Sequence, residues 1–191
     1  MRDNECTKII GYRLPVIDCR HQFTYHEWMK SAELRYFTGS EMLTLEEEFQ
    51  MQKRWHQDQD KCTFIILEKT AFTTSGNEIE AMIGDTNLFF NESDQPNTAE
   101  VEIMIANVTY RRKKRGWEAM ILMLLYGICF ILSLFSIIYI ERSQVFQEYT
   151  FEKIVNQDWI DWLYSNTNMD IITYEEYDKE RERENNPVHD L

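Results

Sequence analysis

An α/β (α+β) domain is the fold class that this chain of 191 residues predicts, and three features carry the prediction. Cys62 to Leu67 and Ala81 to Phe90 are β-rich apolar runs placed on either side of the turn-prone Thr73-Thr74-Ser75-Gly76-Asn77, as in a hairpin pair. Ala99 to Ala106 alternates, with Glu100, Glu102 and Met104 on one face and Val101, Ile103 and Ile105 on the other, the period of a strand. Thr44-Leu45-Glu46-Glu47 opens a helix, because Thr at the start and Glu three positions on form a capping box. The length suits one domain. Hydrophobic and aromatic fractions of 43% and 14% exclude wholesale disorder.

Taken in order, Lys8 to Val16 reads as a short strand or two interrupted by a turn at Gly11. His21 to Lys30, continued by Ser31 to Leu34, is one short helical region. The capped helix runs to about Gln57, with Leu45, Phe49, Gln52 and Trp55 near one face. After the two hairpin strands, Gln95-Pro96-Asn97 is a loop, and Ala99 to Ala106 is a third central strand. A basic run and Gly116 lead into an uncharged stretch from Ala119 to Ile140. Val145 to Thr150 is then a strand, Asp158 to Tyr164 a short amphipathic piece, and Tyr174 to Asp190 a solvated acidic tail. The expected division is a folded domain over 1–165 and a disordered tail over 166–191.

Composition narrows the function classes. A formal net charge of -13 argues against a nucleic-acid binder, whose affinity is built from Lys and Arg against phosphates. The four cysteines, Cys6, Cys19, Cys62 and Cys129, form no CxxC pair, so neither a zinc ribbon nor a redox motif is indicated. Cys19 with His21 and His26 matches no common zinc spacing, and no metal is expected. Met1 to Tyr12 has no apolar core of a secretory signal. Reduced thiols in a cytoplasmic protein fit best, with the sequons at Asn91 and Asn107 as chance matches. Phe49, Trp55, Trp159 and Trp162 are expected in the core.

The chemistry-bearing unit is the order strand, basic loop, Gly116, helix. Arg111, Arg112, Lys113, Lys114 and Arg115 feed a helix N-terminus, where unpaired N–H groups and the positive dipole end favour an anion such as a pyrophosphate. Gly116 allows close approach of the backbone. On spacing alone, a solvated basic turn competes with this reading.

Through this loop the chain resembles the GNAT acetyltransferases. Arg111 to Gly116 occupies the place of their Arg/Gln-x-x-Gly-x-Gly/Ala loop, with Lys114 in place of the first glycine. It is similar in particular to the N-acetyltransferase 9-like proteins, through Tyr25-His26-Glu27-Trp28-Met29-Lys30, Leu43-Thr44-Leu45-Glu46, Asp60-Lys61-Cys62-Thr63-Phe64-Ile65 and Ile83-Gly84-Asp85-Thr86-Asn87-Leu88-Phe89. Glu102-Ile103-Met104-Ile105-Ala106, Tyr126-Gly127 and Val145-Phe146-Gln147-Glu148 extend the likeness over most of residues 8–150.

The resemblance implies a mixed, mostly antiparallel and splayed central sheet flanked by helices, acetyl-CoA as donor, and a protein or peptide amine as acceptor. It implies that the backbone of Ile103, Met104 and Ile105 pairs with the pantetheine arm and that Arg111 to Gly116 hold the pyrophosphate. Glu100 and Glu102 are the general-base candidates, against the plainer reading of two exposed strand carboxylates. Two departures stand out. A left-handed Lys114 would be strained where the family has glycine. The family's strand, Asn-containing turn, helix and further strand are missing between the cofactor helix and Val145, so the sheet is expected to be incomplete.

Two alternatives compete with catalysis. A non-catalytic relative would keep the fold as a binding module. The run from Ala119 to Ile140, with Arg111 to Arg115 at one flank, also has the length and border of a single membrane-spanning helix. The family likeness divides that run into a buried helix from Trp117 to Tyr126 and an internal strand after Gly127.

Overall fold

The computed structural model describes residues 7–10, 19–58, 60–91, 98–130, 137–144 and 147–167. Six strands form one sheet in the order β1-β2-β3-β4-β5-β6. They are β1 (Thr7–Ile10), β2 (Lys61–Glu68), β3 (Met82–Asn91), β4 (Thr98–Ile105), β5 (Ile137–Gln144) and β6 (Gln147–Ile154). Every neighbouring pair is antiparallel except β4–β5. One face is covered by α1 (Cys19–Met29), α2 (Ala32–Phe37), α3 (Leu45–Gln57), α4 (Lys69–Ser75) and α5 (Glu78–Ala81), the other by α6 (Arg115–Phe130) and α7 (Gln157–Ser165).

The two faces explain the two sequence patterns. Cys62, Phe64, Leu88, Phe90 and Val101 pack under Ile121, Leu124, Leu125 and Leu163 of α6 and α7. On the opposite face Met29 and Leu34 cover Met104 and Ala106, while Ile65 and Leu67 meet Trp28, Ala71 and Phe72. With both faces covered, β2 is buried along all but its first residue and reads as a continuous apolar run. Each fully buried Ile or Leu, such as Ile66, Ile83, Leu88 and Leu124, contributes ~1.5–3 kcal/mol.

Local chemistry sets the helix ends. The Thr44 hydroxyl accepts from Glu47 N (3.3 Å) and the Glu47 carboxylate accepts from Thr44 N (2.8 Å), the expected capping box. Leu45, Phe49, Gln52 and Trp55 are half-buried as their spacing predicts, but the most buried residue of α3 is Glu48. The single helical region expected over 21–34 is two helices, because Ser31 is extended and its hydroxyl caps α2 through Leu34 N (3.3 Å). The turn expected at 73–77 is also replaced. Glu68 caps α4 by accepting from Ala71 N (2.6 Å), Gly76 ends it in the left-handed conformation (φ 63°), and Asn77 caps α5 through Ile79 N (3.1 Å).

The uncharged stretch resolves into two elements. α6 continues through Gly127 to Phe130, and the strand expected after Gly127 begins at Ile137. At 16 residues α6 is about 24 Å long, short of the roughly 30 Å of a bilayer core. Among the described residues no helix is long and apolar enough to cross a membrane. One helix spanning 119–140 is therefore not what the chain forms.

The expected gap in the sheet is also corrected in part. The position beside β4 is filled by β5, while β5 and β6 are separated only by residues 145 and 146, so no helix stands between them. Gly11 to Val16, the loop at 95–97, residues 145–146 of the expected strand and the tail from 168 lie outside the described residues.

Candidate active site at the β4–β5 split

β4 and β5 pair only from Thr98–Ile137 to Val101–Ile140, although β4 continues to Ile105 and β5 to Gln144. The parallel ladder thus ends in mid-sheet, and Glu102 is the first β4 residue beyond it. Its side chain is exposed, whereas Glu100 is half-buried inside the ladder, opposite Tyr139 on one side and Phe89 on the other. Sequence reasoning ranked the two carboxylates alike; the ladder separates them. Ile103, Met104 and Ile105 follow past the last β5 pair, held on their other edge by Thr86, Asp85 and Gly84.

β3 fixes this segment through a close approach. A Cβ at Gly84 would lie 1.9 Å from the Met104 carbonyl oxygen and 3.1 Å from Ile105 Cα. Just beyond, Ala106 N and Asn107 N both donate to Ile83 O (2.9 and 3.1 Å), which turns the chain out of the sheet.

The basic run divides into two tiers. Arg111 faces inward: Nε donates to Ile105 O (2.8 Å), Nη2 to Ala106 O (3.4 Å) and Nη1 to Glu33 (3.1 Å). Arg115, 11% exposed, pairs with buried Glu68 (3.1 Å) and lies 3.7 Å from Glu118. Arg112, Lys113 and Lys114 are exposed, Lys113 standing 5.5 Å from the Tyr110 ring centroid. Two inner arginines thus anchor the loop and three outer cations stand at its surface.

The loop backbone keeps the path that a glycine would permit. Lys114 has φ 62°, the left-handed conformation named above as a strain, and Arg112 shares it with φ 59°. Left-handed residues in a turn make successive N–H groups converge into an anion-binding nest. α6 starts at Arg115, earlier than the expected Trp117, so its first N–H groups belong to the same loop. Gly116 needs no unusual φ, and a Cβ there would meet Ile105 Cγ1 at 3.6 Å and Ile103 Cγ2 at 3.7 Å, ordinary contacts. These donors and three outer cations fit a diphosphate.

A polar row missed by sequence reasoning lies on the α1–α3 face. Thr63 Oγ1 donates to Asn87 Oδ1 (2.7 Å) and Asn87 Nδ2 donates to Asp85 Oδ2 (3.2 Å). Asn87 pairs with Glu102 across β3–β4, so the row reaches the end of the ladder. Burial pushes the Asp85 carboxyl up to about 7, against the hydrogen bond from Asn87 and the Lys61 charge, with Glu102 adding to the rise. Burial also raises Tyr25 well above the usual phenol range, helped by Asp85, Glu48 and Glu102. Lys61, its ammonium 3.4 Å from the Trp55 ring centroid and 4.6 Å from that of Phe89, is pushed down by burial against the fields of Glu102, Asp85 and Asp58. The signal was present as Asp85 and Asn87 at strand spacing within an apolar central strand.

The two α1 histidines pair with carboxylates. Buried His21 lies 3.4 Å from Glu78, and His26 lies 3.1 Å from Glu48, which also accepts from Gln22 Nε2 (3.1 Å). Among the described residues no group of three or more His, Cys, Asp or Glu side chains is placed to hold a metal. Trp162, expected in the core, is 41% exposed and stacks edge-on with Trp117.

No family model matches the chain. Individual relatives do. The alpha/beta-tubulin-N-acetyltransferase 9 of Drosophila melanogaster is 38% identical over 200 residues, covering 92% of this chain and all of that one. The human protein of the same name is 36% identical, covering 87% and 92%. The N-acetyltransferase 9-like protein of Nematostella vectensis is 44% identical over 131 residues, 67% of this chain and 66% of its own. Among solved structures, spermidine N-acetyltransferase from Vibrio cholerae in complex with CoA and spermine superposes with a TM-score of 0.52 at 15% identity, over 84% of this chain and 78% of that one. The aminoglycoside acetyltransferase AAC(6')-Ib with coenzyme A gives 0.54 at 11% identity, over 72% and 75%. At those identities the structures speak for the fold alone. The split parallel seam and the loop at its open end are thus set in a GNAT fold, and the chain belongs to the N-acetyltransferase 9-like family of acyltransferases.

Proposed function

We propose that this chain transfers an acetyl group from acetyl-CoA to an amine of a protein, and that αβ-tubulin is the acceptor to test first. The observation that carries the reading is the split. The parallel ladder ends at Val101–Ile140, with an exposed carboxylate at its vertex and a cationic loop at its open end. The acceptor rests on the names of the relatives.

In this reading the backbone of Ile103, Met104 and Ile105 holds the pantetheine arm along the unpaired side of β4. The N–H groups of residues 111–116 face the diphosphate, and Arg112, Lys113 and Lys114 add charge to it. Arg111 and Arg115 act by fixing the loop, through Ile105 O and Glu68. Glu102 draws the acceptor ammonium to the vertex and is placed to take its proton directly or through water. Glu100, within the ladder, supports the local negative field. Acetyl-CoA supplies an activated acyl group, and the protein supplies position and charge.

The direct β5–β6 connection favours a second reading, a binding protein that keeps the fold without turnover. Two measurements separate them. Calorimetric titration with acetyl-CoA, followed by mass spectrometry of tubulin after incubation with protein and acetyl-CoA, gives saturable binding and a gain of one acetyl mass under the first reading. Binding without transfer to tubulin or to amine-bearing peptides favours the second. Under the first reading Glu102→Gln lowers transfer by ~10²-fold while acetyl-CoA affinity stays within twofold; unchanged turnover removes Glu102 from the mechanism.

A further inference from the structure

Lys61 opens β2, and strand register ties it to the vertex. It pairs with Phe89, and Phe89 pairs with Glu100, while Thr63, Asn87 and Glu102 form the next row on the same strands. Paired residues of antiparallel strands share a face, as do residues two apart, so Lys61, Phe89, Glu100 and Glu102 all stand on the α1–α3 side. The first three are half-buried and Glu102 is exposed, so solvent reaches this strip from β2 to the end of the ladder.

The Lys61 ammonium leans along the strip, 4.6 Å from the Phe89 ring centroid and 3.4 Å from that of Trp55. Burial pushes its pKa down, and the opposing fields come first from Glu102, then from Asp85 and Asp58. An ammonium carries three N–H donors. Among the described residues the Lys61 side chain makes no hydrogen bond or ion pair, only the two ring contacts. Cation–π attraction offsets part of the cost of withdrawing the charge from water but gives those donors no oxygen.

The strip thus offers a cation short of oxygen partners beside a carboxylate assigned to the acceptor's amine. An acceptor bringing only an ammonium would meet Glu102 and leave Lys61 as it is. We propose that Lys61 selects the acceptor, a peptide segment whose amine lies at Glu102 and whose acidic side chain, two or three residues away, pairs with Lys61. The proposal rests on the acetyl-transfer reading and adds to it the chemical class of the acceptor. Two strand spacings separate Lys61 from Glu102, ~9–10 Å, and an extended peptide advances ~3.3 Å per residue. Two or three residues therefore span ~7–10 Å, and the side chains take up the offset of one row. An acidic residue directly beside the amine would instead meet Glu100 and Glu102, where like charges repel. A lysine that merely covers Trp55 and Phe89 with its methylenes would make no such distinction.

The test measures kcat/KM with acetyl-CoA for peptides that have one free amine, at the N-terminus in one series and on a central lysine in another. A single glutamate stands one, three or six residues from the amine, with glutamine at the same position as reference. Wild type should favour glutamate ~10-fold at three residues, disfavour it at one and be indifferent at six. Lys61→Gln should shrink the preference at three to within twofold, with acetyl-CoA affinity within twofold of wild type. Lys61→Arg should keep it, and Lys61→Glu should turn it toward arginine at that position. A purely structural Lys61 would change the rates on all peptides alike. Equal rates on glutamate and glutamine peptides in wild type, or a preference that survives Lys61→Gln, overturn the inference, and the first of these needs no variant to fold. Should the peptides be too short to react, tubulin decides: Lys61→Gln should raise its KM ~10-fold with kcat within twofold, and an unchanged KM overturns the inference. Wild type that transfers to neither peptides nor tubulin defeats the acetyl-transfer reading and the inference with it, whereas transfer without the glutamate preference defeats the inference alone.

Discussion

Replacing Gly84 by alanine tests the geometry of the site at its tightest point. The added Cβ falls 1.9 Å from the Met104 carbonyl oxygen and 3.0 Å from its carbon. A carbon–oxygen contact needs ~3.3 Å, so the β4 backbone must retreat by about 1.4 Å at the segment assigned to the pantetheine arm. No rotamer change relieves a clash with backbone. Overpacking of this kind costs ~1–3 kcal/mol, and a displacement of about 1 Å in a positioning element costs on the order of 10²-fold in rate. Gly116→Ala is the matched control: its Cβ meets only side-chain carbons at 3.6 and 3.7 Å, and alanine is favoured over glycine in a helix by up to ~1 kcal/mol. Urea unfolding and acetyl-CoA titration of both variants give the comparison. Gly84→Ala with wild-type stability and affinity would refute the argument that the missing side chain sets the course of β4.

Three further predictions follow from the loop and the buried polar groups. Lys114→Gly removes ~1–2 kcal/mol of left-handed strain and costs ~0.5–1 kcal/mol through the greater entropy of the unfolded chain, so thermal unfolding should show a net gain of ~0–1.5 kcal/mol and acetyl-CoA binding a weaker salt dependence; a loss above 1 kcal/mol contradicts the left-handed assignment. Arg115→Met leaves Glu68 buried without its countercharge and should cost ~3–5 kcal/mol in urea unfolding, an effect absent if the pair is solvated. Asp85 carries a pH signature: with its folded value raised to about 7, the unfolded chain releases this proton first, so the Asp85 contribution makes stability fall as pH rises from about 4 to about 7. Asp85→Asn should therefore match wild type near pH 4 and exceed it at pH 8 by up to ~4 kcal/mol, and parallel pH–stability curves would contradict this.

Much of the sheet was legible because its central strands obey simple periodicities. β4 alternates, β2 is continuously apolar under cover on both faces, and Thr44 and Glu47 announce α3 with side chains that bond each other. α4 and α5 were hidden because Gly76 and Asn77 are turn residues that here serve as a C-cap and an N-cap. In the site, charge was visible but its use was not: Arg111 and Arg115 look like Arg112 in sequence, yet bind Ile105 O and Glu68. The row from Thr63 through Asn87 to Asp85 escaped because its members come from two strands, and only register brings them into line.

The strand order has a kinetic consequence at the same place. Four of the five seams in the sheet join antiparallel neighbours, and the β4–β5 seam is the parallel exception, closed by a crossover through α6. A crossover must close a long loop before its contacts repay the lost chain entropy, so this seam should be the last to zip during folding and the first to part under stress. The protein is thus expected to open at the site proposed for its donor. If acetyl-CoA binds as proposed, bridging β4 and the start of α6 beside this seam, it should slow unfolding far more than it speeds folding, because it grips a junction that the folding transition state has not yet made.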